Sequence, residues 1–311
     1  MLYAPEKSIF AIGSMKIMSY FIIPVFMFAS GFLLAKSCEN AKNITTYLLT
    51  KRLKRLLIPY LLTGILWLVP LYTLFDILVY NRPAGTSLAG GYLAFSLGLF
   101  TDHLWFLLAL FWVSLFCILL SPLLKRSVVA GSVITLVTAL FIQEFLQAVP
   151  YYKINQTALP IISACFGMII YRVHTSIERL QPGRQLLITG VLLGFVIILI
   201  CFDKGNAYIG WLISITGCIL IYFSSALLAK INIAAIICDS TLYEWVERNS
   251  MKYYLFHMPF PYLFFLWLYP VLKISPVIFI LLNFVFTLAV TTVVVLVLGK
   301  CNHLWTRIRV S

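Results

Sequence analysis

The stretch "HLWFLLALFWVSLFCILLSPLL" (103–124) contains no lysine, arginine, aspartate or glutamate. An α-helix rises about 1.5 Å per residue, so a helix of this length reaches across the roughly 30 Å hydrocarbon core of a bilayer. Side chains that are almost all apolar suit a helix surrounded by lipid. The stretch therefore predicts a transmembrane helix.

Eight further stretches on either side have the same character. A bilayer core needs about 20 apolar residues in helical form, and the shortest of these stretches, 158–172, is the least typical. Residues 88–100 are apolar but short and rich in glycine, so they are interfacial, re-entrant or an extension of the third span. The nine predicted spans are 17–35, 57–80, 103–124, 127–148, 158–172, 186–202, 208–229, 251–272 and 276–299.

The composition supports lipid as the main solvent of this chain. Its residues are 62% hydrophobic and 11% charged, whereas a soluble domain has about 45–50% apolar and about 25% charged residues. We predict an all-α fold, a polytopic integral membrane bundle of about nine helices, in which 1–311 form a single domain. The seven cysteines include no CxxC pair, which indicates neither a metal site nor a disulfide framework.

The net charge of +13 would suggest a nucleic-acid partner in a soluble chain, but here the basic residues lie between the spans. Short loops that are rich in lysine and arginine remain on the cytoplasmic side of a membrane. With the N-terminus outside, 17 of the 23 basic residues fall in inner loops. We therefore predict an external N-terminus, a cytoplasmic C-terminus and no nucleic-acid partner.

The segment "TKRLKRLLIPYLL" (50–62) is the most basic of the inner loops. In a helical projection its four cations lie opposite a face of leucines, which predicts an amphipathic helix over 40–57 at the inner face. Such a helix contacts anionic membrane lipids. Alternatively, Arg52 and Arg55 are neighbours on the helix and bind phosphate oxygens. The composition alone favours the lipid contact.

Two histidines fall next to predicted spans. Asp102 and His103 stand at the outer start of the third span, as a helix cap with an interfacial histidine or as a functional pair. His257 follows Lys252, which marks the inner boundary of the eighth span, by five residues. An ionisable residue at that depth is either functional or bonded to a neighbouring helix. Pro259 is expected to open the helix there.

Four segments occur in a characteristic order: "IIPVFMFASGFLLAKS" (22–37), "KRLKRLLIPYLL" (51–62), "DHLWFLLALF" (102–111) and "NSMKYYLFHMPF" (249–260). Together they resemble the membrane-bound acyltransferase family 3, whose members O-acetylate bacterial surface polysaccharides and related glycans. The resemblance implies a ten-helix bundle in the bacterial inner membrane, with cytoplasmic acetyl-CoA as acyl donor, a glycan hydroxyl as acceptor and no metal. The Arg-x-x-Arg motif of the family maps onto Arg52 and Arg55, its HLWFL element onto His103–Leu107, and its late histidine onto His257.

One departure from the family is expected at the N-terminus. The resemblance places the family's catalytic histidine, and an arginine before it, in a first transmembrane helix, whereas the first span here corresponds to the family's second. Residues 1–16 are then an outer loop, and the chain is either assigned a late start or is a truncated and inactive product. His257 and His103 remain as catalytic candidates. The alternative function is polysaccharide export, as a flippase. The oligomeric state stays open.

Overall fold

A computed structural model describes residues 9–40, 50, 52–75, 87–149, 151–203, 205–230, 240–272 and 276–308. Within these ranges the secondary structure is helical and contains no strand. The prediction of an all-α fold is confirmed. Short 3₁₀ turns at Asp102–Leu104 and Tyr151–Gln156 precede two of the long helices.

We number the helices along the chain. They are α1 (Ile9–Asn40), α2 (Leu53–Leu74), α3 (Leu88–Ser96), α4 (Trp105–Arg126), α5 (Val128–Phe145), α6 (Ala158–Glu178), α7 (Pro182–Phe202), α8 (Ala207–Lys230), α9 (Thr241–Phe256), α10 (Phe260–Leu272) and α11 (Pro276–Ile308). Helix α2 contains two π-helical turns, Leu53–Leu57 and Gly64–Leu68.

In the described part of the chain, eight helices are long and apolar enough to cross a membrane. They correspond to eight of the nine predicted spans, so the protein is a multi-pass membrane protein. The predicted span 251–272 differs, because α9 ends at Phe256 and α10 begins at Phe260. Pro259 has no backbone N–H, so it removes a helical hydrogen bond at this point. The interruption that Pro259 predicts is therefore present.

The glycine-rich segment 88–100 forms a helix of its own. Helix α3 packs on α2, where the rings of Tyr60 and Phe95 stack with centroids 4.8 Å apart. The hydroxyl of Tyr92 donates a hydrogen bond to the carbonyl of Ile65 over 3.0 Å. Residues 97–101 separate α3 from the following 3₁₀ turn. The segment is therefore not an extension of the third span.

Two predicted boundary segments are described only in part. The predicted outer loop 1–16 includes residues 9–16, which are helical because α1 begins at Ile9. The rest of that loop lies outside the described residues. Of the predicted amphipathic helix 40–57, residues 41–49 and 51 lie outside them too, and residues from Leu53 onward belong to α2.

The chain divides into two compact units. The first unit comprises Met1–Leu57 and Phe106–Ile237, and the second comprises Ile58–Trp105 and Cys238–Ser311. Each unit is therefore built from two separate parts of the chain. In the first, α6 packs against α1, α5 and α8; in the second, α11 packs against α9 and α10.

Candidate active site

Asp102 lies in the second unit, where two tyrosine hydroxyls donate hydrogen bonds to its carboxylate. Tyr72 of α2 bonds Oδ2 over 2.5 Å, and Tyr262 of α10 bonds Oδ1 over 3.5 Å. Nδ1 of His103 lies 3.3 Å from Oδ2. The side chains of Asp102 and His103 are only 9% and 7% exposed. The residue that caps the 3₁₀ turn is Thr101, so Asp102 is not the cap that its position in the sequence suggests.

The backbone of Asp102 has a φ of 39°. This left-handed conformation is uncommon for residues with a side chain, although aspartate and asparagine adopt it more readily than most. Such a conformation persists where the surrounding contacts hold the residue from several sides. The bonds from Tyr72, Tyr262 and His103 are contacts of this kind.

His103 is bonded to the last turn of α9 in both directions. Its Nε2 lies 3.1 Å from the carbonyl oxygen of Leu255, and the hydroxyl of Tyr254 donates to the carbonyl of His103. Because a carbonyl oxygen only accepts hydrogen bonds, Nε2 of His103 carries a hydrogen. Both ring nitrogens of His103 are therefore occupied, one by Leu255 and the other by Asp102.

His257 follows directly after α9, at the interruption before α10. Its Nδ1 lies 2.8 Å from the carbonyl oxygen of Tyr254 and 3.2 Å from that of Tyr253. Nδ1 consequently carries the hydrogen, and in the neutral ring Nε2 presents a lone pair. The rings of His257 and His103 meet edge to face with centroids 4.8 Å apart.

Trp67 of α2 contacts both sides of the interruption between α9 and α10. Its indole Nε1 donates to the carbonyl oxygen of Met258 over 2.7 Å. The ring packs edge to face on Phe256 and Phe260, the last residue of α9 and the first of α10. Backbone carbonyls next to a helix end in an apolar environment need partners, and Trp67 supplies one for Met258.

The sequence places His103 and His257 towards opposite faces of the membrane, but their rings are in contact. The two depth assignments therefore cannot both hold. Helix α9 is continuous from Lys252 to Phe256, so the count of five residues holds, and at least one of the two assumed membrane boundaries is wrong.

Arg52 and Arg55, the predicted phosphate-binding residues, belong to the first unit. Arg52 is half-buried and Arg55 is exposed. Burial, followed by the charge of Arg55, lowers the pKa of the Arg52 guanidinium below its usual value. Among the residues described, no carboxylate forms an ion pair with either arginine. A half-buried guanidinium without a carboxylate partner can bind an anion, and an anionic lipid would meet the same need.

The tyrosines and the tryptophan around the histidines were not singled out from the sequence. A hydroxyl or indole N–H within an apolar segment needs a partner, so Tyr72, Tyr262 and Trp67 did carry a signal. The sequence does not say which partner each one meets. Within the described ranges, no group of three or more His, Cys, Asp and Glu is placed to hold a metal ion.

An apolar cavity of about 450 Å³ lies in the first unit between α5, α6 and α8. Its wall includes Thr135, Cys165 and Trp211 and none of the candidate site residues. We therefore do not assign it to the candidate active site.

Residues 3–298 match the family model described as an acyltransferase domain, that of acyltransferase family 3. The match spans nearly the whole chain, so the chain belongs to this family. Together with its apolar helices, this makes it a membrane acyltransferase. No curated protein and no solved structure matches the chain.

Proposed function

We propose that this protein transfers an acetyl group, or a related acyl group, from cytoplasmic acetyl-CoA to a hydroxyl of a cell-surface or periplasmic glycan. The family supports acyl transfer, and the resemblance in the sequence suggests the donor and the acceptor. The observation that carries the proposal is His257, whose Nδ1 is bonded to backbone carbonyls. This bonding leaves the Nε2 lone pair available for a proton.

His257 would act as the proton-transfer group. Its Nε2 takes the proton of the acceptor hydroxyl, and the oxygen attacks the thioester carbonyl carbon. The new C–O bond forms as the C–S bond breaks. The proton then passes to the departing CoA thiolate, so the products are an ester and free CoA. His103 is close by but has both nitrogens occupied, so we assign it the support of His257.

Arg52 and Arg55 would bind the phosphates of acetyl-CoA at the inner face. Guanidinium groups bind phosphate oxygens with paired hydrogen bonds, and Arg52 has no carboxylate partner among the described residues. This role agrees with a bacterial inner-membrane location, an external N-terminus and a cytoplasmic C-terminus. Membrane lipid surrounds the helices and could also contact the basic segment.

The test uses membranes of the source cell, which contain the natural acceptor. The chromosomal gene is deleted and variants are supplied on a plasmid. With radiolabelled acetyl-CoA, His257→Gln should lower labelling of the glycan by about 100-fold or more, the usual contribution of a general base. Insertion into the membrane should not change.

His174→Gln is the matched control, because His174 lies in the first unit, stacked on Tyr171. It should label the glycan at the wild-type rate. Wild-type labelling by His257→Gln would contradict the proposed role of His257. If deletion of the gene reduced the amount of glycan at the surface but left its acetylation unchanged, polysaccharide export would be favoured instead.

A further inference from the structure

Three separate segments of the second unit meet at Asp102 and His103. Helix α2 contributes Tyr72 and α10 contributes Tyr262, which both donate to the carboxylate. The last turn of α9 contributes Tyr254 and Leu255, which bond to His103. Asp102 and His103 therefore connect the chain on both sides of the interruption that contains His257.

The same turn of α9 holds the ring of His257. The carbonyl of Tyr254 accepts from Nδ1 of His257, while its hydroxyl donates to the backbone of His103. The next residue, Leu255, accepts from Nε2 of His103. A displacement of His103 would thus move the residues that orient His257. Of the two histidine rings, the one that lies within bonding distance of the Asp102 carboxylate is that of His103.

We propose that Asp102 is a positioning residue which, through His103 and the last turn of α9, orients the His257 ring so that its Nε2 remains available. The inference rests on the proposed role of His257 in acyl transfer. It assigns no proton transfer to Asp102 and none to His103.

The unusual backbone of Asp102 allows its side chain and its backbone to be tested separately. Glycine accepts a φ of 39° without strain, so Asp102→Gly removes the carboxylate and keeps the turn. Asp102→Asn also tolerates this conformation. With its NH₂ group in the place of Oδ2, it can donate to Nδ1 of His103 and to the hydroxyl oxygen of Tyr72, while its carbonyl oxygen accepts from Tyr262. It therefore keeps these contacts without the charge.

The first measurement separates the turnover rate from the apparent KM for acetyl-CoA, in the membrane assay described above. Asp102→Gly should lower kcat by about 10- to 100-fold, since a misplacement of about 1 Å in a reacting group can cost about 100-fold, and should leave KM within about twofold. Asp102→Asn should restore most of kcat. A residue needed only for folding would lower the amount of inserted protein and leave kcat per molecule unchanged.

The second measurement does not depend on acyl transfer. Diethyl pyrocarbonate modifies imidazole nitrogens that carry a free lone pair, and peptide mass spectrometry reports which histidines react. In the purified wild-type protein His257 should react, while His103 should remain protected. In Asp102→Gly the protection of His103 should be lost, and in Asp102→Asn it should be kept.

Either measurement can overturn the inference. Wild-type kcat in Asp102→Gly would show that the carboxylate is not needed to orient His257. Equal loss of kcat in Asp102→Asn and Asp102→Gly would show that the reaction uses the charge itself. If no variant, including the wild type, labels the glycan, the proposed function fails. The reactivity of His103 and His257 still decides whether Asp102 holds this arrangement.

Discussion

Arg52 and Arg55 lie next to Lys51 and Lys54 in the sequence, and the four residues carry equal charge but different hydrogen-bond donors. A lysine ammonium is a compact charge, whereas the planar guanidinium forms paired bonds with phosphate. A helix that only contacts anionic lipid needs charge, and any of the four would supply it. A CoA site needs the geometry of the arginines in particular.

This difference predicts unequal effects of two double variants that remove the same charge. Arg52→Gln with Arg55→Gln should raise the apparent KM for acetyl-CoA by at least about tenfold, because charge-assisted bonds to phosphate are lost. Lys51→Gln with Lys54→Gln should change it by less than about threefold, because an ammonium group forms no paired bonds with phosphate. Equal effects of the two double variants would favour the interpretation as a lipid-contacting helix.

At the scale of elements, the contact between α1 and α6 depends on two glycines. A Cβ atom on Gly31 would overlap the backbone of Ala164, and one on Gly167 would overlap the carbonyl of Phe28. Small residues let helices in membranes approach closely, which increases their van der Waals contact. Because the obstacle in both cases is backbone, a side-chain rearrangement cannot remove the overlap.

We therefore expect Gly31→Ala and Gly167→Ala to destabilise the protein by about 1–3 kcal/mol or more, the usual cost of overpacking. The measurement is thermal unfolding of the purified protein in detergent. Gly194→Ala in α7 is the matched control, because a Cβ atom there meets no described atom within 4 Å. It should unfold at the wild-type temperature or slightly above. A wild-type transition in Gly31→Ala would contradict the close contact between α1 and α6.

For the whole molecule, the number of membrane crossings is decided at α9 and α10. These helices have 16 and 13 residues, and neither is long enough by itself to cross a bilayer core of roughly 30 Å. If the two together cross the membrane as a broken helix, as the eight long helices are expected to, the described residues cross it nine times. If they do not, the two ends of the chain lie on the same side.

The distribution of positive charge predicts nine crossings, with the N-terminus outside and the C-terminus in the cytoplasm. Reporter fusions that are active on only one side of the membrane, placed at each end of the chain, measure this directly. We expect the two ends to report opposite sides. The same side for both ends would show that α9 and α10 return to the face from which they enter.

The structural predictions that succeeded were those that depend on residues close together in the sequence. The apolar run 103–124 corresponds to α4 and the turn that precedes it, and Pro259 marks the interruption between α9 and α10. The short segment 88–100 was ambiguous because its length fits several structures. The described helix α3 packs on α2, which is a tertiary contact that the segment itself does not encode.

The candidate site was predicted only in part. His103 and His257 were singled out because ionisable residues are rare in apolar segments. Their contact was not predicted, since the separation of 154 positions between them exceeds the range of any helical periodicity. Tyr72 and Tyr262 were missed because tyrosine is common beside membranes. The role of these tyrosine hydroxyls follows from their bond to Asp102, which only the structure shows.

The sequence by itself determined that this protein is helical, spans a membrane several times and belongs to an acyltransferase family. Hydropathy and motifs are properties of a short stretch of sequence, and they do not depend on which other segments it packs against. The tertiary structure alone decided that Tyr262 bonds Asp102 across 160 positions of the chain and that His257 is oriented from the turn that also bonds His103. Which helix faces meet depends on the packing of all the helices together, so no single segment contains that information.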